Sequence, residues 1–125
     1  NKFISNIDQD ISIPQYGNGD SERDYTYIDD VIDALIHCID YKKSLYEIIN
    51  IGNNRSVSLN ELIETIEDII GKKAIIEKLP EQPGDVPVTK ADISKAKRIL
   101  NYRPEIELKK GIKKYIDWYF KQQNI

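Results

Sequence analysis

From Ser58 to Gly71 the chain has little choice of structure. Ser58-Leu59-Asn60-Glu61 is a capping box, in which a serine hydroxyl and a glutamate carboxylate satisfy backbone N–H groups that a helix start leaves unpaired. Leu59, Leu62, Ile63, Ile66, Ile69 and Ile70 follow at helical spacing on one face, and Gly71 is the residue that ends such a helix. A helix with one apolar face is stable mainly through packing, so the rest of the chain must supply a core for it.

The neighbouring segments are shorter. Residues 2–7 read as the end of a helix, with Phe3, Ile4 and Ile7 on one face. Ile11-Ser12-Ile13-Pro14-Gln15-Tyr16 alternates apolar and polar residues and reads as a strand, which Pro14 places at a sheet edge. Asp24-Tyr25-Thr26-Tyr27-Ile28 is rich in β-formers and reads as extended; a helix follows in which Ile28, Val31, Ile32, Leu35, Cys38 and Ile39 keep helical spacing. Tyr46-Glu47-Ile48-Ile49-Asn50-Ile51 reads as a buried strand of a parallel sheet, and Ala74-Ile75-Ile76-Glu77-Lys78-Leu79 as another. Asp92 is expected to cap a helix carrying Ile93, Ala96, Ile99 and Leu100, and a last helix presents Leu108, Ile112, Tyr115, Ile116 and Tyr119. The expected fold is one mixed α/β domain over 1–125, with about four helices and a few short strands, a thin allotment for a free-standing sheet.

Charge and residue types exclude several functions. With 18 basic and 21 acidic side chains, the net charge of −3 lacks the broad positive field of nucleic-acid binding, so no nucleic-acid partner is expected. No apolar run approaches the roughly 18 residues of a membrane span, so no membrane partner is expected either. Cys38 is the only cysteine, which rules out an intrachain disulfide and fits a reducing, cytoplasmic location. His37, the single histidine, cannot build a zinc cluster with one cysteine, and its apolar neighbours mark it as an ordinary helix residue. Gly17-Asn18-Gly19 is not a dinucleotide fingerprint, because the third glycine and a following helix are missing. Asp29 and Asp30 could suggest acid–base work, but carboxylates at the positive end of a helix dipole account for both. With no methionine and Asn1 first, the chain is expected to be a piece of a longer polypeptide.

One stretch asks for more than a fold. In Glu81-Gln82-Pro83-Gly84-Asp85-Val86-Pro87 two prolines and a glycine stiffen the backbone, yet Gln82 and Asp85 are polar side chains with no evident partner. A connector between strand and helix explains the stiffness; a loop that presents both side chains to a ligand explains the side chains as well. Arg23, after the Gly17–Gly19 turn, is open to two readings: a phosphate ligand, or a surface partner of Asp20 or Asp24.

Three stretches together resemble one family. They are 16–31, which contains Arg23-Asp24-Tyr25-Thr26-Tyr27-Ile28-Asp29-Asp30; Asn50-Ile51-Gly52-Asn53 with 56–63; and Gln82-Pro83-Gly84-Asp85-Val86-Pro87 with Ala91-Asp92-Ile93-Ser94-Lys95-Ala96. In order and spacing they are similar to the extended short-chain dehydrogenase/reductases of the NAD-dependent epimerase/dehydratase family, which act on nucleotide sugars. Gln82 before Pro-Gly-Asp resembles the UDP-glucuronate 4-epimerases in particular, whereas Val88 and Lys90 depart from what relatives often carry.

The resemblance implies the C-terminal substrate-binding lobe of a Rossmann-type enzyme. Its NAD loop and its Tyr-x-x-x-Lys pair would lie outside these residues, so NAD binding and the catalytic base are not expected here and the isolated chain is expected to be inactive. It implies epimerisation at C4 of a UDP-hexose or UDP-hexuronate through a 4-keto intermediate; alternatives are a dehydratase or decarboxylase of the same superfamily and a non-catalytic nucleotide-sugar or protein-binding module. It implies that Arg23 holds the UDP diphosphate, that Asp85 accepts from the ribose diol with Gln82 near by, and that Tyr16 and Gly17 lie toward the uracil–ribose end. Apolar surface left by a missing lobe is expected to make the chain self-associate as a homo-oligomer, a dimer.

Overall fold

The computed structural model describes residues 1–123. Its elements, in chain order, are α1 (Lys2–Asp8), β1 (Ile13–Tyr16), β2 (Glu22–Asp24), α2 (Ile28–Asp40), β3 (Ser56–Ser58), α3 (Leu59–Ile70), β4 (Ile76–Leu79), α4 (Ser94–Leu100) and α5 (Leu108–Gln123). The mixed α/β class holds, with five helices rather than about four.

α3 forms as its caps require. Ser58 Oγ accepts from the Glu61 amide at 3.1 Å, and Gly71 closes the helix with φ of 78°. The box is one-sided, because the Glu61 carboxylate turns to Arg55 at 3.2 Å. Leu62, Ile63 and Ile66 bury the stripe against Ile4 and Ile7 of α1, Ile13 of β1 and Ile116 of α5. A second core joins Ala34 of α2 to Ile93, Ala96, Leu100 and Tyr102. The Tyr102 hydroxyl donates to the Gly52 carbonyl at 2.9 Å, and burial, with the charges of Asp30, Asp24 and Asp33 adding to it, pushes its pKa up to about 12. Asp92 acts as a cap from one residue further out than usual: its Oδ1 takes the Ser94 amide at 2.9 Å, while Ile93 occupies the cap position without a side-chain bond.

The strands make two small sheets. β1 pairs in parallel with β4, Ile13 opposite Ile76 and Tyr16 opposite Leu79. β2 pairs antiparallel with β3, Arg23 opposite Val57. β1 has one strand neighbour among the described residues, so Pro14 lies on an edge strand, as its missing N–H demands.

One expectation needs correction. Residues 46–51 form no strand; Tyr46 and Ile48 are exposed while Ile49 and Ile51 lean on the second core. A strand is a pairing, and no strand lies beside this run among the described residues. Of the α2 residues at helical spacing, Ile28, Ile32, Leu35 and Ile39 face outward, with Ile39 77% exposed, whereas Cys38 packs with Ala34 on the second core.

Candidate functional site

The site is built where the turn after β1 meets the loop after β4. Parallel pairing brings Tyr16 level with Leu79, and the Gly17 amide extends the ladder to the Leu79 carbonyl at 2.9 Å. The turn is then stitched to the start of α3. The Leu59 amide donates to the Ser21 carbonyl at 3.0 Å, the Asn60 amide to Gly19 at 3.1 Å, and Asn60 Nδ2 to the Asn18 carbonyl at 3.0 Å. Buried Gln15 completes the arrangement by donating to Asn60 Oδ1 at 2.7 Å. Gly19 is obligatory twice over: φ is 78°, and a Cβ would lie 2.5 Å from Gln15 Nε2 and closer still to Asn60 Oδ1.

Across from this turn, 82–85 form a type II turn. Pro83 and Gly84 are its central residues, Gly84 has φ of 85°, and the Asp85 amide donates to the Gln82 carbonyl at 3.2 Å. A Cβ on Gly84 would meet open space, so glycine serves the backbone angle and not a close approach within the chain. Further along, the loop is laced to β2: the Glu22 amide donates to Pro87 at 2.7 Å and the Thr89 amide to Glu22 at 3.0 Å. Asp24 fixes its far end, its carboxylate accepting from the amides of Asn53 (2.8 Å), Asn54 (3.1 Å) and Ala91 (3.0 Å).

Between turn and loop is a hollow of about 210 Å³. Tyr16, Gly17, Gln82 and Asp85, four of the five sequence-derived site residues, line it together. The fifth, Arg23, stands behind the lining. Its Nη2 pairs with Asp85 Oδ1 at 2.5 Å, and Nη1 donates to the carbonyls of Val86 (2.9 Å) and Glu22 (2.8 Å). Arg23 is thus neither free nor paired with Asp20 or Asp24; the two residues most firmly singled out as ligands hold each other. Ligand pockets run to about 300–1,000 Å³, so the hollow is smaller than a complete small-molecule site. Asp20 and Glu81 also line it, so with Asp85 three carboxylates face the hollow.

Sequence reasoning missed the scaffold residues. Gln15 carried a signal, since it takes the inward position two residues after Ile13 on β1 and a buried polar side chain must be bonded. Asn60 was visible only as an interior letter of a capping box. Asp29, Asp30 and His37 lie away from the hollow. Asp30 accepts from the amides of Glu105 (3.0 Å) and Ile106 (3.1 Å), and Asp29 pairs with Lys114 at 2.8 Å, raising the lysine's pKa through that bond. His37 is exposed on α2 against Asp33, and no group of His, Cys, Asp or Glu able to hold a metal occurs among the described residues.

A family model described as GDP-mannose 4,6 dehydratase matches residues 1–115. The chain belongs to that family. Within it, the chain is 44% identical over 118 residues to the UDP-glucuronate 4-epimerase of Thermodesulfobacterium geofontis, covering 94% of this chain and 36% of the relative. It is 41% identical over 124 residues to an uncharacterised protein of Methanocaldococcus jannaschii, covering 98% of this chain and 37% of that one. The crystal structure of UDP-glucuronic acid 4-epimerase from Bacillus cereus in complex with UDP-glucuronic acid and NAD superposes with a TM-score of 0.88 at 37% identity, over 97% of this chain and 38% of that one. The chain therefore spans under two-fifths of the length of these family members.

These residues do not fit NAD. Its pyrophosphate takes a glycine-rich turn at a helix start, but Gly17, Gly19, Gly52, Gly71, Gly84 and Gly111 include no pair three apart. The first turn of α2, which follows the Tyr25–Tyr27 stretch, carries Asp29 and Asp30, which repel an anion. No step of hydride chemistry is assigned to this chain.

Proposed function

We propose that this chain is the nucleotide-sugar-binding lobe, residues 1–125, of an NAD-dependent epimerase that inverts C4 of a UDP-hexose or UDP-hexuronate through a 4-keto intermediate. The carrying observation is the hollow in which Tyr16, Gly17, Gln82 and Asp85 converge in front of Arg23. A guanidinium fork suits a diphosphate, and a carboxylate, which only accepts, suits the two donors of a ribose diol. Glycines and prolines set both walls before ligand arrives, which lowers the entropy lost on binding. Relatives named as UDP-glucuronate 4-epimerases support the reading. In it NAD and the base belong to a second lobe, and the location is cytoplasmic, in keeping with the unpaired Cys38. No helix of the described residues is long and apolar enough to cross a membrane. The outward stripe of α2 supports burial against that second lobe, and in the isolated chain against a second copy, giving a dimer.

The test is a chimera in which these residues replace the matching segment of the Bacillus cereus enzyme. We expect interconversion of UDP-glucuronate and its C4 epimer, lost or strongly weakened by Arg23→Ala. A folded chimera that binds NAD but neither binds nor turns over any UDP-sugar would overturn the reading.

A further inference from the structure

The Arg23–Asp85 pair has a consequence for selectivity, which rests on the nucleotide-binding reading above. The hollow is lined by Asp85 and Val86 but not by Arg23, whose Nη groups are held by those same two residues and Glu22. A phosphate entering the hollow therefore meets the Asp85 carboxylate before it meets the guanidinium. With Nη1 bonded to two carbonyls, the edge left for a phosphate includes Nη2, which Asp85 Oδ1 occupies at 2.5 Å. Phosphate and carboxylate side by side on one nitrogen would repel.

We propose that the Arg23–Asp85 pair is an exchange latch that selects ligands carrying a diphosphate and a vicinal diol together. The diphosphate takes the guanidinium, and the displaced carboxylate takes the diol. A phosphate alone strands Asp85, and a nucleoside alone strands Arg23. A nucleoside diphosphate satisfies both at once. The backbone confines the motion to the loop tip: 87–89 are laced to Glu22, while among the described residues 82–85 are tied to β2 through the Arg23–Asp85 pair. The pair is partly exposed, with side chains 29% and 46% accessible, so opening it is easy for a ligand that replaces both contacts.

The experiment titrates the native chain, Asp85→Asn and Asp85→Ser with inorganic pyrophosphate, uridine and UDP, following backbone amide and Arg23 guanidinium NMR signals. Asp85→Ser removes any bond that an asparagine could still offer Arg23. We expect both variants to bind pyrophosphate about two- to fivefold tighter than the native chain, the range a partly exposed ion pair can withhold. We expect native pyrophosphate binding to strengthen when uridine is present, and this gain to vanish in both variants. Unchanged or weaker pyrophosphate binding in both variants, with UDP still shifting Tyr16, Gly17 and Gln82 in the native chain, would overturn the latch and leave the nucleotide site standing. No UDP-induced shift at those residues would overturn both.

Discussion

Gly19→Ala and Gly84→Ala make a matched pair. Both glycines are left-handed, with φ of 78° and 85°. An alanine in that region costs roughly 1–2 kcal/mol at either position. The surroundings differ: a Cβ on Gly84 meets nothing within 4 Å, whereas one on Gly19 falls 2.5 Å from Gln15 Nε2 and 2.8 Å from Asn60 Cγ. Neither neighbour can simply swing away. Gln15 is 7% exposed, and Asn60 lies in the first turn of α3 with its amide on the Gly19 carbonyl. Separating them breaks the 2.7 Å Gln15–Asn60 bond and strands a buried amide, a further loss of about 1–3 kcal/mol. Urea unfolding followed by circular dichroism should thus show Gly19→Ala losing about 2–5 kcal/mol and Gly84→Ala about 1–2 kcal/mol. Gly19→Ala should also weaken UDP binding more, because its turn forms one wall of the hollow. Equal losses for the two variants would refute the claim that the stitching of the turn to α3, rather than backbone angle alone, fixes this wall.

Other expectations follow from the second core and from α2. Tyr102 has a folded pKa of about 12 against 10.0 unfolded, so its contribution is fully present below pH 10 and is lost as pH rises through 12. That difference corresponds to about 3 kcal/mol, and Tyr102→Phe should remove the alkaline loss while giving up the bond to Gly52, as urea midpoints between pH 9 and 12 would show. Identical pH profiles for the two proteins would contradict the assignment. The outward stripe of α2 should make the isolated chain associate, with light-scattering mass rising with concentration, and Leu35→Glu with Ile39→Glu should return it to a monomer. A native chain that stays monomeric at every concentration would count against that use of the face.

What could be read in advance follows the range of the forces involved. α3 was legible because its signals are local: a cap, a stripe and a stop within 58–71. The 82–85 turn was legible for the same reason, since proline and then glycine leave few backbone options. Residues 46–51 misled because β-forming composition describes a willingness to pair, and pairing needs a neighbour that these residues do not find among the described residues. The direction of the α2 stripe was hidden for a related reason: spacing shows that a face exists and not what lies opposite it. Motif matching placed four candidates on one hollow, but it could not show that Arg23 is withheld from that hollow by Asp85. That contact spans 62 positions and depends on how the loop after β4 folds back on β2.

The most direct measurement is a crystal structure of this chain grown with UDP. The diphosphate oxygens should lie about 3 Å from the Arg23 guanidinium, and the ribose hydroxyls should donate to Asp85 beside Gln82. UDP seated anywhere else, with the turn at 16–21 and the loop at 81–87 untouched, would contradict the account.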